Sequence, residues 1–323
     1  MAVKIVKPGL STTVQDLGRP GFYHIGIPLS GGMDQFALIA ANLLVGNEEG
    51  AAVLEAVFMG PELEFTEAAT VAVTGGELPP KVNGETQAGW TSFKVEKGDV
   101  LSFDFLKSGA RAYIAVSGGF DVPVVLNSRS TYTLGALGGH NGRKLETGDE
   151  LPIGKGVGAA AGRAVPEKLR RRPGAPAELR VMPGLYWHRI TDAAGQQFFE
   201  DTWKVAPEAD RIGYRFRGGR PMEFNPREQP FGAGSDPSNI VDACYPYGSI
   251  QIPGGTEPIV LHRDAVSGGG YFMVGTVISA DMDLVGQLQP HTPTRFVKID
   301  MEGALKARRD RDALLNELRQ SLA

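Results

Sequence analysis

Apolar and polar residues alternate in short runs along most of this chain. Residues 62–65, Glu-Leu-Glu-Phe, read polar, apolar, polar, apolar, the pattern of a strand with one face buried. Residues 70–75, 100–105, 111–119, 257–262, 271–279 and 294–299 are short, rich in β-branched or aromatic residues, and bounded by Gly, Pro, Asp or Ser. That is how strands of antiparallel sheets are punctuated. Two further stretches, 94–103 and 144–153, share an apolar-Glu pair, a Gly-Asp step and an apolar alternation after it. Gly tolerates positive φ and Asp can bond its own backbone, so both predict tight hairpin corners.

The helical period of 3.6 shows clearly in two places. Over 33–47, Phe36, Ile39, Ala40 and Leu43 form one apolar stripe, with Asp34 as N-cap and Gly46-Asn47 as the stop. Over 302–322 the chain is charged, with Leu314, Leu315, Leu318 and Leu322 gathered late, which predicts a helix docked by its last turns. Between them, 154–177 has little periodicity and much Gly, Ala and Pro, the composition of a linker. Its cluster Lys168, Arg170, Arg171 and Arg172 reads as a solvated connection. The expected organisation is therefore mainly β with a few helices: a domain at 1–153, a linker at 154–177, a second domain at 178–300 and a C-terminal helix at 301–323. A length of 323 residues agrees with two cores rather than one.

Composition narrows the function classes. Charged residues are 22% and the formal net charge is −4, which gives no electrostatic case for nucleic acid or a membrane surface. No apolar run approaches the ~20 residues of a membrane span, and the first residues lack the apolar centre of a signal peptide. Cys244 is the single cysteine, so neither an internal disulfide nor a multi-thiolate zinc site is available, and a cytoplasmic location is expected. The five histidines show no metal-ligand spacing, and no metal site is expected. Neither a Gly-Lys-Ser/Thr phosphate loop nor a G-x-S-x-G elbow occurs.

Two stretches carry candidate chemistry. After the apolar run 124–126 come Ser128, Arg129, Ser130, Thr131 and Tyr132, then Gly135, Gly138, Gly139, His140, Asn141, Gly142 and Arg143. A guanidinium can hold a carboxylate in a bidentate fork, hydroxyls add donors, and glycines let backbone N–H groups approach a ligand. A strand-end arginine paired with a nearby acid and followed by a hairpin fits the same residues. The second stretch runs His262, Arg263, Asp264, then Ser267, Gly268, Gly269, Gly270 and Tyr271. His262 could move a proton and Asp264 could act as a base or orient a partner; a polar loop whose glycines need positive φ is the alternative. Asp34 at a helix start marks either an anion site or a plain cap. Glu55, inside an apolar run, is either buried and perturbed or on the solvent face of a strand.

The order of the motifs QDLGRPG, SGGMDQFALIAANLLVGN, NSRSTY and GTVISAD resembles the allophanate hydrolase subunit 2, or biotin-dependent carboxyltransferase A/B, family, which includes the C-subunit of 5-oxoprolinase. The resemblance runs from about residue 6 to residue 299. It implies two cyclophilin-like β-barrel subdomains and a partner, a separate subunit-1 protein with the C and D subdomains. It implies ATP-dependent opening of a lactam such as 5-oxoproline or, alternatively, carboxyl transfer to urea or a related small amide. A third relative suggests a non-catalytic role against an inhibitor of a sensor kinase. ATP is implied by the family. Biotin would arrive on another protein, since this chain has no Met-Lys attachment pair. From the chemistry of these residues, Arg129, His262 and Asp264 are the candidate catalytic residues. The substrate-binding candidates are Asp34, Ser128, Ser130, Thr131, Tyr132, Gly138, Gly139, His140, Asn141 and Arg143, with Ser267, Gly268, Gly269, Gly270 and Tyr271. Residues 135–142 are expected to roof a pocket lined by Arg129 and its hydroxyl neighbours. Where many relatives have a Gln-Thr-Thr-Gly-Gly-Tyr-Pro run, this chain has DAVSGGGYFM.

Overall fold

The computed structural model describes residues 1–156 and 160–323. They form two compact units that do not follow chain order. The first contains Met1–Pro20, Ser30–Arg172 and Ala313–Ala323; the second contains Gly21–Leu29 and Pro173–Asp312. The expected linker is divided between them. Its residues 157–159 lie outside the described residues, while Val165 and Leu169 are buried in the core of the first unit. Two apolar residues anchored in a core explain why a stretch without periodicity is still held.

The first unit is built from two antiparallel sheets. One runs Glu150–Pro152, Ala2–Lys7, Glu62–Phe65, Val100–Phe103, Pro80–Val82, Glu85–Thr86; the other runs Thr12–Gln15, Val53–Val57, Ser108–Val116, Ala69–Glu77, Ser92–Val95. Ile5, Leu63, Phe65 and Leu101 from the first meet Leu54, Val71, Val73 and Ile114 from the second in one core. The strand Glu62–Phe65 matches the alternation read from the sequence. Helix α1, Gln35–Leu44, lies against the outer face of the second sheet and packs with Val53, Ala72, Tyr113 and Ala115. Strand Val53–Val57 is thus buried on both faces, which is why its run reads as apolar on both sides of Glu55.

The two Gly-Asp corners share one geometry. Gly98 and Gly148 have φ of 87° and 91°. Asp99 accepts from Glu96 N–H at 2.7 Å, and Asp149 accepts from Glu146 N–H at 2.8 Å. Each acid closes its own turn and launches the following strand.

The second unit is a closed barrel of seven strands, in the order Ala177–Pro183, Met273–Val277, Ser249–Gln251, Ile259–Leu261, Gly213–Arg217, Trp203–Val205, Pro293–Lys298. The closing pair, Ala177–Pro183 with Pro293–Lys298, is parallel. Phe198, from helix α2 (Asp192–Glu200), stacks on Phe296 with centroids 4.7 Å apart, and Trp203 and Phe216 complete the aromatic core. The short helix α3 spans Met282–Val285, and α4 spans Met301–Ser321. The end of α4 buries Leu315, Leu318 and Leu322 in the same cluster as α1. Among the described residues no helix is long and apolar enough to cross a membrane.

Candidate functional site

In the first unit, the hydroxyls expected to bind substrate converge on a buried carboxylate instead. Asp16 Oδ1 accepts from Ser128 Oγ at 2.7 Å, Ser130 Oγ at 2.5 Å and Gly18 N–H at 2.7 Å, while Oδ2 accepts from Arg129 N–H at 2.6 Å. Thr131 donates its hydroxyl to Val14 O at 3.0 Å. Arg19, fully buried, donates to Ser30 Oγ at 2.8 Å and to the carbonyl of Ser130. Ser128, Ser130 and Thr131 are all buried, and they fasten 128–131 to the strand Thr12–Gln15. The glycines pack against them. A Cβ on Gly138 would stand 2.2 Å from Ser130 O, and one on Gly139 1.9 Å from Thr131 Oγ1. They are small because Ser130 and Thr131 press directly on them, and no room is left for a ligand under them.

Arg129 contributes its backbone, not its guanidinium, to that cluster. The side chain points outward and pairs with the exposed Asp121 at 2.7 Å. The strand-end ion pair is therefore the observed arrangement. Exposed pairs are worth about 0–1 kcal/mol. Arg129→Ala is accordingly expected to move the thermal midpoint by less than about 3 °C, read by differential scanning calorimetry.

His140 and Arg143 are committed to Asp149. Arg143 forms a fork on it with two 2.8 Å bonds, and His140 Nε2 lies 3.3 Å away. Asn141 touches the His140 ring at 3.3 Å, and Tyr132 packs under Gly135 and bridges to Leu137. The Arg143 fork holds the Asp149 carboxyl down at about 2, against an ordinary 3.8. A lowered carboxylate stabilises the fold fully above its unfolded value and loses that contribution as pH falls toward the folded one. About 2 kcal/mol should therefore disappear between about pH 4 and pH 2. Asp149→Asn should flatten that acid limb in urea titrations, and an unchanged limb would refute the pairing.

Asp34 is a cap. Its carboxylate accepts from Ala37 N–H at 2.9 Å, satisfying the donor an anion would need. Glu55 is buried on the α1 side of its strand, accepting from Met33 N–H and the Tyr113 hydroxyl, each at 2.8 Å, with Arg111 Nε 3.7 Å away. Burial and the Glu55 charge push the Tyr113 phenol well above its ordinary range, so it stays a donor.

In the second unit, the stretch 262–271 also differs from expectation. His262 is fully buried; Nδ1 accepts from Arg263 N–H at 3.0 Å and Nε2 lies 3.1 Å from Met282 O. With Nδ1 accepting, the proton sits on Nε2, and both ring nitrogens are engaged. Arg211 grips Asp264 at 2.8 and 3.1 Å. The three glycines are not a positive-φ loop. Gly268–Tyr271 is a strand paired with Asn239–Cys244, and Tyr245 OH both donates to Tyr271 O and accepts from Tyr271 N–H at 2.8 Å. A Cβ on Gly269 would meet the Tyr245 ring at 3.0 Å. Ser267 Oγ donates to Tyr23 O at 3.5 Å.

The group that sequence reasoning passed over is Arg263, between two locked neighbours. Its guanidinium lies over the Tyr247 ring, 4.8 Å from the centroid, and its Nε is buried without a hydrogen-bond partner. Burial pushes the Tyr247 phenol up to about 12, with Arg263 acting against it. Tyr23, in the turn Tyr23–Ile25, is raised by burial and lowered by the same guanidinium. The sequence signal was a lone arginine beside a buried His-x-Asp pair. Among the described residues no cluster of three or more His, Cys, Asp or Glu side chains is placed to hold a metal.

Several known proteins share this sequence and architecture. A family described as carboxyltransferase domain, subdomain A and B, matches residues 25–298. The C-subunit of 5-oxoprolinase from Escherichia coli K12 is 34% identical over 319 residues, covering 98% of this chain and 97% of that protein. The urea amidolyase of Lachancea kluyveri is 33% identical over 330 residues, 98% of this chain but 18% of that protein. The chain thus spans less than a fifth of that longer relative. The crystal structure of the Kluyveromyces lactis urea carboxylase superposes with a TM-score of 0.91 at 32% identity, covering 100% of this chain and 30% of that one.

Proposed function

The chain belongs to the carboxyltransferase subdomain A and B family, and from that premise we propose that it is the A/B half of a two-protein enzyme that opens a small cyclic amide in an ATP-dependent reaction. The observation that carries this reading is the end-to-end correspondence with the C-subunit of a 5-oxoprolinase, 98% of one chain against 97% of the other. Carboxyl transfer to urea or a related amide is the second reading, favoured by the TM-score of 0.91 with urea carboxylase.

Both readings need the same physical act. An amide carbonyl must be polarised and the developing oxyanion stabilised by fixed donors. The chain's contribution under this proposal is to bind and orient the amide, with the partner completing the reacting centre. ATP and biotin do not fit the glycine runs of this chain. Gly138 and Gly139 press on Ser130 and Thr131, and Gly268–Tyr271 is paired as a strand, so neither run is an open cradle for phosphates. Both groups are assigned to the partner proteins in this proposal.

The test is reconstitution. The chain, co-expressed with a C/D subunit from the same genome, should release glutamate from 5-oxoproline only when ATP is present. Carboxybiotin-dependent carboxylation of urea without glutamate release would establish the second reading. A tight complex with neither activity would defeat both and leave a regulatory partner.

A further inference from the structure

Two acids of this region, Asp264 and Asp283, already have another cation. Asp264 is held by Arg211, and Asp283 by Arg311 at 2.8 and 3.0 Å. Among the described residues Arg263 forms no ion pair, and its buried Nε lacks an acceptor. Its backbone is fixed on both sides, because His262 Nδ1 takes its N–H and Asp264 N–H is donated to Arg211 O at 2.9 Å. Arg263 as a whole is half-buried. The Tyr247 ring lies beneath it, 4.8 Å from centroid to guanidinium, and fixes its plane. A fixed, planar cation with no carboxylate of its own is complementary to a small oxyanion that accepts in a plane.

We propose that Arg263, stacked on the Tyr247 ring, is a carboxylate-recognition point, and that the substrate of the assembly carries a carboxylate that this guanidinium contacts. The assignment rests on the cyclic-amide reading and sharpens it. A lactam acid such as 5-oxoproline presents a carboxylate, whereas urea presents none. Arg263 is a binding and specificity residue here; it reads the substituent that distinguishes a lactam acid from a bare lactam.

The experiment measures dissociation constants by calorimetry on the full chain in complex with its C/D subunit. The probes are 5-oxoproline and 2-pyrrolidinone, the same ring without the carboxylate. The wild-type complex should prefer 5-oxoproline by roughly 10–100-fold, the range of a charge-assisted contact. Arg263→Gln should abolish that preference without weakening 2-pyrrolidinone, and Arg263→Lys should restore part of it. A preference that survives in Arg263→Gln overturns the assignment, as does a wild-type complex that does not discriminate. Unchanged melting of both variants separates lost recognition from lost folding. Failure of the cyclic-amide reading shows separately, as absence of ATP-dependent glutamate release by the wild-type complex.

Discussion

Asp16→Ala is expected to destabilise the first unit by about 3–5 kcal/mol, close to the limit for a single substitution. The carboxylate is the acceptor for four donors at 2.5–2.7 Å: two serine hydroxyls and two backbone N–H groups. Alanine would leave all four without their acceptor in a region water does not reach freely. Each orphaned buried donor costs about 1–3 kcal/mol, moderated by relaxation. Ser128→Ala, which leaves the Asp16 carboxylate three other donors and orphans only the Ser130 N–H that Ser128 Oγ accepts at 3.0 Å, should cost about 1–2 kcal/mol. Urea unfolding of the two variants checks the ordering. Equal losses would mean that Asp16 is not the organising group.

Gly139→Ala should cost about 3 kcal/mol or more. Its φ is 57°, in the left-handed region, and a Cβ would lie 1.9 Å from Thr131 Oγ1. Left-handed backbone costs a non-glycine residue about 1–2 kcal/mol, and overpacking adds about 1–3. The nearest atom is a short β-branched side chain that is itself hydrogen-bonded to Val14 O, so it cannot swing aside cheaply. Gly148→Ala, at a similar φ of 91° but with nothing within 4 Å, isolates the backbone part and should cost about 1–2 kcal/mol. If the two variants melt together, the close contact at Gly139 is not rigid.

The contrast between these two glycines separates what a chain reveals locally from what it withholds. The strand Glu62–Phe65, the Asp34 cap and the two Gly-Asp corners were legible because each is decided by residues within a few positions of one another. The direction of Arg129 was not. Leu126 and Asn127 both take positive φ, at 52° and 61°, which breaks the alternation just before Ser128. After that break, the facing of Ser128, Arg129 and Ser130 is set by Asp16, more than a hundred residues earlier. The three glycines at 268–270 misled for the complementary reason. Glycine permits a turn, but here it permits close approach of an extended strand to Tyr245 and the carbonyls of Ile240 and Ala243. Arg263 escaped notice because an unpaired guanidinium is defined by the partners it lacks, and only coordinates show that Arg211 and Arg311 have taken the neighbouring acids.

The leucines at the end of α4 have a consequence for biosynthesis. Leu315, Leu318 and Leu322 close the apolar layer over α1, yet they leave the ribosome after the whole barrel has been made. The nascent first unit must therefore wait with an oily helix face uncovered while the second is translated. That interval is when a chaperone would be needed, and a clone cut at Arg172 would make the interval permanent.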